Sequence, residues 1–193
     1  MLTSCKAKEG HQVLATALKR FFTPPASRIA AHSLYNSIVA QARKPVFYAD
    51  WHTPDTLDGR FDIIVIHLFL AVSRCETDVS PTQEDTKSFI RTLSEVFFSD
   101  MDRNLREMGA SDTGVGIRVK KMAQAFYGRL KAYEESIHDQ TALGEALRRN
   151  VWREQPVAAA AIAELAAYMQ RNHKALQSQP INGLMNGSIQ FSD

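Results

Sequence analysis

Residues 60–74 read Arg-Phe-Asp-Ile-Ile-Val-Ile-His-Leu-Phe-Leu-Ala-Val-Ser-Arg, and the reading of this stretch decides the fold. From Ile63 to Val72 only His67 interrupts the apolar run. The β-branched residues Ile63, Ile64, Val65 and Ile66 suit a buried strand as well as a helix, and periodicity does not separate the two in such a run. Its length and its helical neighbours decide for a central helix. The run is too short to span a membrane.

On the N-terminal side, Leu14, Leu18 and Phe21-Phe22 recur at helical spacing and stop at Pro24-Pro25. A second helix is predicted from Ala26 to Arg43, with Ile29, Leu34, Ile38 and Ala42 on one side and Pro45 ending it. Residues 44–60 hold Pro45, Pro54, Asp55, Asp58 and Gly59, and read as a loop packed onto the body through Phe47, Tyr48 and Trp51. A polar loop at 76–85 leads to a helix from Thr86 to Met108, closed by Gly109 as a left-handed cap. From Val115 on, Val119, Met122, Phe126, Leu130, Tyr133 and Ile137 form one stripe of a long amphipathic helix. Thr141 is placed as the cap of a short helix to Asn150, and Pro156 as the start of an alanine-rich helix to Leu176. The expectation is all-α, a single helical domain over 1–178 of about six to eight helices without a sheet. Residues 179–193, with two Asn-Gly pairs, read as a tail or docking arm.

Composition bounds the function. With 193 residues, 45% hydrophobic and 23% charged, the chain is an ordinary globular one, and a net charge of +2 is too small to mark a DNA-binding protein. Cys5 and Cys75 form no C-x-x-C pair, which points to a reducing compartment and to no zinc knuckle. Lys6, Lys8, Glu9 and His11 break up the first residues, so no secretory signal is read there. The expected location is the cytoplasm, at most peripheral on a membrane.

Charges mixed into the apolar arcs carry the rest. On the 86–108 helix, Phe89, Leu93, Val96, Phe97 and Met101 define the buried arc, with Asp100, Asn104 and Glu107 inside or beside it. Asp102 and Arg106 make a surface pair. Buried acids must be paired, so Asp100 and Glu107 are expected to meet Arg60, Arg118 or Arg129 in a charge network. The sharper alternative, a metal held by Asp100, Asn104 and Glu107, needs Glu-x-x-His motifs on facing helices, which the chain does not supply in pairs. His67 reads as a satisfied core histidine. Gly109 to Gly116 lacks the Lys-Ser/Thr end of a P-loop, and Asp112 serves there as a helix cap. Lys120, Lys121 and Lys131 share one face of the following helix, bordered by Tyr127 and Arg129; such a face is ordinarily just solvated, and gains a role only against an anionic partner, ribosomal RNA or a lipid headgroup layer.

The chain resembles the ubiquinol–cytochrome c chaperone family, assembly factors for the cytochrome b subunit of respiratory complex III. The stretches that carry the resemblance are Leu34-Tyr35, Ile38 to Arg43, Pro45, Phe47-Tyr48, Pro54-Asp55-Thr56, Gly59-Arg60-Phe61-Asp62, His67, Phe69-Leu70 and Arg74. Asp100-Met101-Asp102, Leu105 to Gly109, Asp112, Lys121-Met122, Ala125 to Arg129 and Ala132-Tyr133 follow. They occupy residues 34–133 in order. Thr53 stands where an apolar residue is expected, and Ser73 replaces one of a pair of arginines. The resemblance implies a bacterial, non-enzymatic, cofactor-free helical chaperone that binds newly made cytochrome b, with a small partner protein or the ribosome as further partners. The residues set beside that expectation are Phe47, Tyr48, Trp51, Lys120, Lys121, Tyr127 and Lys131 as partner-binding groups. A helical lipid- or quinone-binding protein is the alternative.

Overall fold

The computed structural model describes residues 26–77, 83–153 and 155–192. The helix expected at 11–22 lies outside them. Eight α-helices occur among the described residues, and no strand. They are α1 (Ala26–Ala42), α2 (Val46–Ala49), α3 (Leu57–Glu76), α4 (Gln83–Glu107), α5 (Asp112–Ser136), α6 (Gln140–Leu147), α7 (Ala159–Gln177) and α8 (Ile181–Met185), with a π-turn, Arg148–Trp152, continuing α6.

The stretch that decided the fold is α3, and it is the hub. Every residue from Phe61 to Val72 is buried, and α1, α4, α5, α7, α8 and the π-turn all pack against it. Burial on all sides is why β-branched residues sit in a helix here: the packing outweighs their small intrinsic cost. The helix begins at an extended Thr56, whose hydroxyl accepts from the Gly59 amide at 3.2 Å. Gly59 is required by close approach, since a Cβ there would stand 1.9 Å from the Pro54 carbonyl oxygen. α1 lies on α4, α4 on α5, α5 on α6 and α6 on α7, so the other helices wrap the hub in chain order.

Several ends differ from the sequence expectation. Gly109 is left-handed (φ 81°), as a cap requires, and the Ala110 and Gly109 amides return to the Leu105 and Arg106 carbonyls. The cap of α5 is Ser111, not Asp112: Ser111 is the extended residue, and its hydroxyl accepts from Gly114. Asp139, not Thr141, caps α6, because its carboxylate reaches the Thr141 and Ala142 amides at 2.8 and 3.0 Å. α7 starts at Ala159, three residues after Pro156. Residues 179–192 are packed rather than loose. Leu184 is buried, the Phe191 ring meets His67 edge-on at 4.9 Å, and the Asn172 and Gln179 amides each make two bonds to the backbone of Ser192 and Gln190.

A buried charge sits inside the hub. Asp62 is fully buried. Arg129 of α5 approaches one of its oxygens at 2.8 Å and Arg153, just past the π-turn, the other at 2.9 Å. Arg129 also donates to the Asn150 carbonyl at 3.4 Å and lies over the Phe61 ring at 5.5 Å. The two ion pairs are close charge contacts without well-aligned N–H···O directions, so neither carboxylate oxygen has a good hydrogen bond, and the nearby Tyr133 hydroxyl has none. Loss of solvent therefore outweighs the two cations, and the Asp62 carboxyl is pushed up to about 7. Holding Arg153 there needs a left-handed residue (φ 50°). The other non-glycine residue with positive φ is His52 (φ 54°), whose carbonyl accepts from the Trp152 indole at 3.1 Å. Such backbone costs of order 1–3 kcal/mol per residue, and here both instances brace the same turn.

Folded Asp62 keeps its proton to higher pH than unfolded Asp62, so the folded state binds the extra proton between about pH 4 and pH 7. This residue's share of stability is therefore complete below about pH 4 and is lost as pH rises through 7, by the order of a few kcal/mol. Relative to Asp62→Asn, wild-type stability should decline across that window; urea denaturation curves of the two proteins that stay parallel from pH 5 to pH 8 would contradict the burial described.

Two glycines should answer to alanine with opposite signs. Gly59→Ala should cost about 1–3 kcal/mol by forcing the Pro54 carbonyl away. Gly128→Ala, with nothing within 4 Å of its added methyl, should stabilise α5 by up to about 1 kcal/mol. Thermal melts of both variants check this.

Candidate functional site

Four elements meet in a groove of about 290 Å³. α1 contributes Val39 and Ala42, with Arg43 just past its end; α2 contributes Tyr48; α3 contributes Leu57, Arg60, Phe61 and Ile64; α4 contributes Asp100, Met101, Asn104 and Glu107, with Met108 just past its end. Phe61, Ile64 and Met101 are buried and form its apolar floor, while Arg43, Arg60, Glu107 and Met108 are exposed at the rim. Met108 is 63% exposed, among the most exposed large apolar residues described. Most of the lining comes from the stretches that carried the family resemblance, which are far apart in sequence.

The polar groups of the groove are paired locally. The Tyr35 hydroxyl donates to Asp100 Oδ2 at 2.8 Å, Asn104 donates to the same oxygen at 3.2 Å, and Arg103 pairs with Oδ1. Burial and the neighbouring Asp100 charge push the Tyr35 phenol well above its ordinary range. Arg60 pairs with Asp55 at 2.6 Å, which holds the Asp55 carboxyl below the usual range. The Tyr48 hydroxyl donates to the Ala42 carbonyl at 2.8 Å, orienting its ring.

The charge network expected from sequence thus has another centre. Asp100 pairs with Arg103 and not with Arg60, Arg118 or Arg129, because the lip of the groove leaves it open enough for a partner one turn along its own helix. Glu107 is 67% exposed, with Arg103 3.9 Å away. Arg118 is exposed, and Arg129 turns to Asp62. Asp62 and Arg153 were missed: a carboxylate next to Phe61 gave no sign that α3 has no solvent face, and Arg153 lies beyond the family-like stretch. The single Glu-x-x-His spacing, Glu135 to His138, does not make a metal motif either. Glu135 faces Lys131 at 3.8 Å, and the His138 ring meets His173 edge-on at 5.5 Å.

The aromatic loop is divided. Tyr48 lines the groove, whereas Phe47 is fully buried and has no exposed surface to offer a partner. Phe47 meets Trp51, His67 and Tyr168 edge-on at 5.2–5.3 Å. With Pro45, Val46, Trp51 and Tyr168 it bounds a second, mostly apolar cavity of about 280 Å³. Beneath it, Gln41 Nε2 donates to the Tyr168 hydroxyl at 3.0 Å, and His67 bonds that hydroxyl through Nε2 and the Ile63 carbonyl through Nδ1, each at 2.8 Å. The last bond makes Nδ1 the protonated nitrogen, so Nε2 accepts from Tyr168. Burial holds His67 neutral, its pKa lowered to about 4. Lys120, Lys121, Tyr127 and Lys131 are exposed on α5, and none lines either cavity. Among the described residues, no helix is long and apolar enough to cross a membrane.

A family model described as ubiquinol-cytochrome C chaperone matches residues 49–191. The ubiquinol-cytochrome c reductase complex assembly factor 1 of Drosophila melanogaster is 25% identical over 182 residues, covering 92% of this chain and 70% of the fly protein. The Mus musculus protein of the same name is 23% identical over 168 residues, covering 85% of this chain and 55% of its own length. Among solved structures, the Cbp3 homolog from Brucella abortus superimposes with a TM-score of 0.76 at 32% identity, over 94% of this chain and 97% of that one. On the family match and on that shared fold, the chain belongs to the ubiquinol-cytochrome C chaperone family.

Proposed function

We propose that this protein is a non-enzymatic assembly chaperone that holds newly made cytochrome b in the cytoplasm, or at the inner face of the membrane, during construction of complex III. The observation that carries the reading is the α1–α2–α3–α4 groove, in which the family-like stretches converge on an apolar floor with a charged rim. Such a groove supplies affinity for an apolar segment through area removed from water. Its rim charges select and orient the client more than they hold it. The rim pairs are solvent-exposed and contribute little to stability, so their placement there serves recognition. A small partner protein would complete the assembly.

The test is deletion of the gene, followed by complementation. Deletion should lower assembled complex III, read from its haem spectrum and activity, while messenger RNA for cytochrome b stays normal. Complementation with an Arg43→Glu/Met108→Glu double variant, changed only at exposed rim positions, should leave the melting temperature close to wild type and fail to restore the complex. Unchanged complex III in the deletion strain would overturn the reading. A second reading, a lipid- or quinone-binding protein, is favoured by the apolar cavity beside Trp51 and Tyr168. Mass spectrometry of the purified protein would then find a retained lipid or quinone.

A further inference from the structure

Between residues 113 and 133 the chain carries five basic residues and no acidic one, although it is balanced to +2 over its whole length. Arg129 is turned inward to Asp62; Arg118, Lys120, Lys121 and Lys131 are exposed. Ile117, Lys120, Lys121, Gln124, Tyr127, Gly128 and Lys131 fall within about 120° of the α5 circumference at 100° per residue. The strip runs about 21 Å at 1.5 Å per residue. Ile117 and Tyr127 on it are 56% and 60% exposed. Tyr127 is the outermost ring of a stack that passes through Phe126 and Phe98 to the buried Phe97, so it projects from a firm base. Gly128, at the centre of the strip, leaves it low enough for a flat surface to approach. Among the described residues, Arg118, Lys120 and Lys121 form no ion pair, and Lys131 has only the long contact with Glu135.

We propose that the outer face of α5 docks the protein onto an anionic lipid bilayer. Lys120, Lys121 and Lys131 take lipid phosphates, and Ile117 and Tyr127 enter the headgroup layer. Charge complementarity names the occupant, and the two apolar side chains choose lipid over RNA. An aliphatic residue amid the lysines has nothing to do against a phosphate backbone, but matches the boundary between headgroups and acyl chains, where tyrosine is also favoured. The face is separate from the groove, so a docked protein keeps its client site open.

The experiment is co-sedimentation of the full chain with vesicles of phosphatidylcholine, with and without phosphatidylglycerol. Binding is expected only with the anionic lipid, and should be lost at about 0.5 M salt, where the screening length is a few ångströms. Lys120→Glu/Lys121→Glu/Lys131→Glu should weaken it about tenfold or more. Ile117→Ser/Tyr127→Ser, with every charge retained, should also weaken it severalfold. No binding by the wild type, binding indifferent to lipid charge, wild-type binding by either variant, or binding of single-stranded RNA in place of vesicles would each overturn the proposal. The wild-type salt and lipid series decides even if a variant fails to fold.

Discussion

A single carboxylate with no route to water constrains this structure. α3 is surrounded on every side, so Asp62 has to be compensated from within the protein. The compensation comes from two separate elements, Arg129 of α5 and Arg153 past the π-turn. Removing either partner from such a cluster is costly, whereas apolar replacement of the whole can be nearly neutral. The cluster is thus better understood as a device that fixes where α5 and residues 148–153 sit than as a source of net stability. The backbone bears this out: the π-turn and both left-handed non-glycine residues lie around it.

Fixing α5 on one side of α3 leaves the other side to α1 and α4, and the groove is the seam between them. Its floor is the edge of the same core that buries Asp62, since Phe61 lies under the Arg129 guanidinium and also lines the groove. Groove and structural charge are therefore adjacent parts of one helix turn, Gly59-Arg60-Phe61-Asp62. Gly59 lets the Pro54 carbonyl close in, Arg60 faces the rim, Phe61 the floor and Asp62 the interior.

Much of this was legible in the sequence. The stripes of α4 and α5 put Phe89, Leu93, Val96, Phe97, Met101, Phe126 and Tyr133 in the core, where they lie. His67 was read as a satisfied core residue, and its two bonds make it one. The failure over Asp100 has a physical cause. A helical-arc argument ranks a charge by its position on its own helix; it cannot see that the groove leaves Asp100 open to Arg103, and it loses meaning altogether on α3, which has no polar side. Asp62 could be given no partner for that reason, and Arg153 was missed because a left-handed arginine leaves no mark in sequence. Residues 179–192 left two readings open, tail or docking arm, because side-chain amides pair them to the body without any hydrophobic period. Phe47 was read both as an anchor of its loop and as a partner-binding group, because a loop with aromatic residues does not say which ring points inward.

The central claim is that the α1–α2–α3–α4 groove receives the client. Its most direct test is photo-crosslinking in growing cells, with a photoreactive residue in place of Met108 at the rim or, as a control, of the exposed Glu164 on α7. The account predicts an adduct with cytochrome b from position 108 that is absent from position 164. Equal yields from both positions, or cytochrome b captured only from 164, would contradict it.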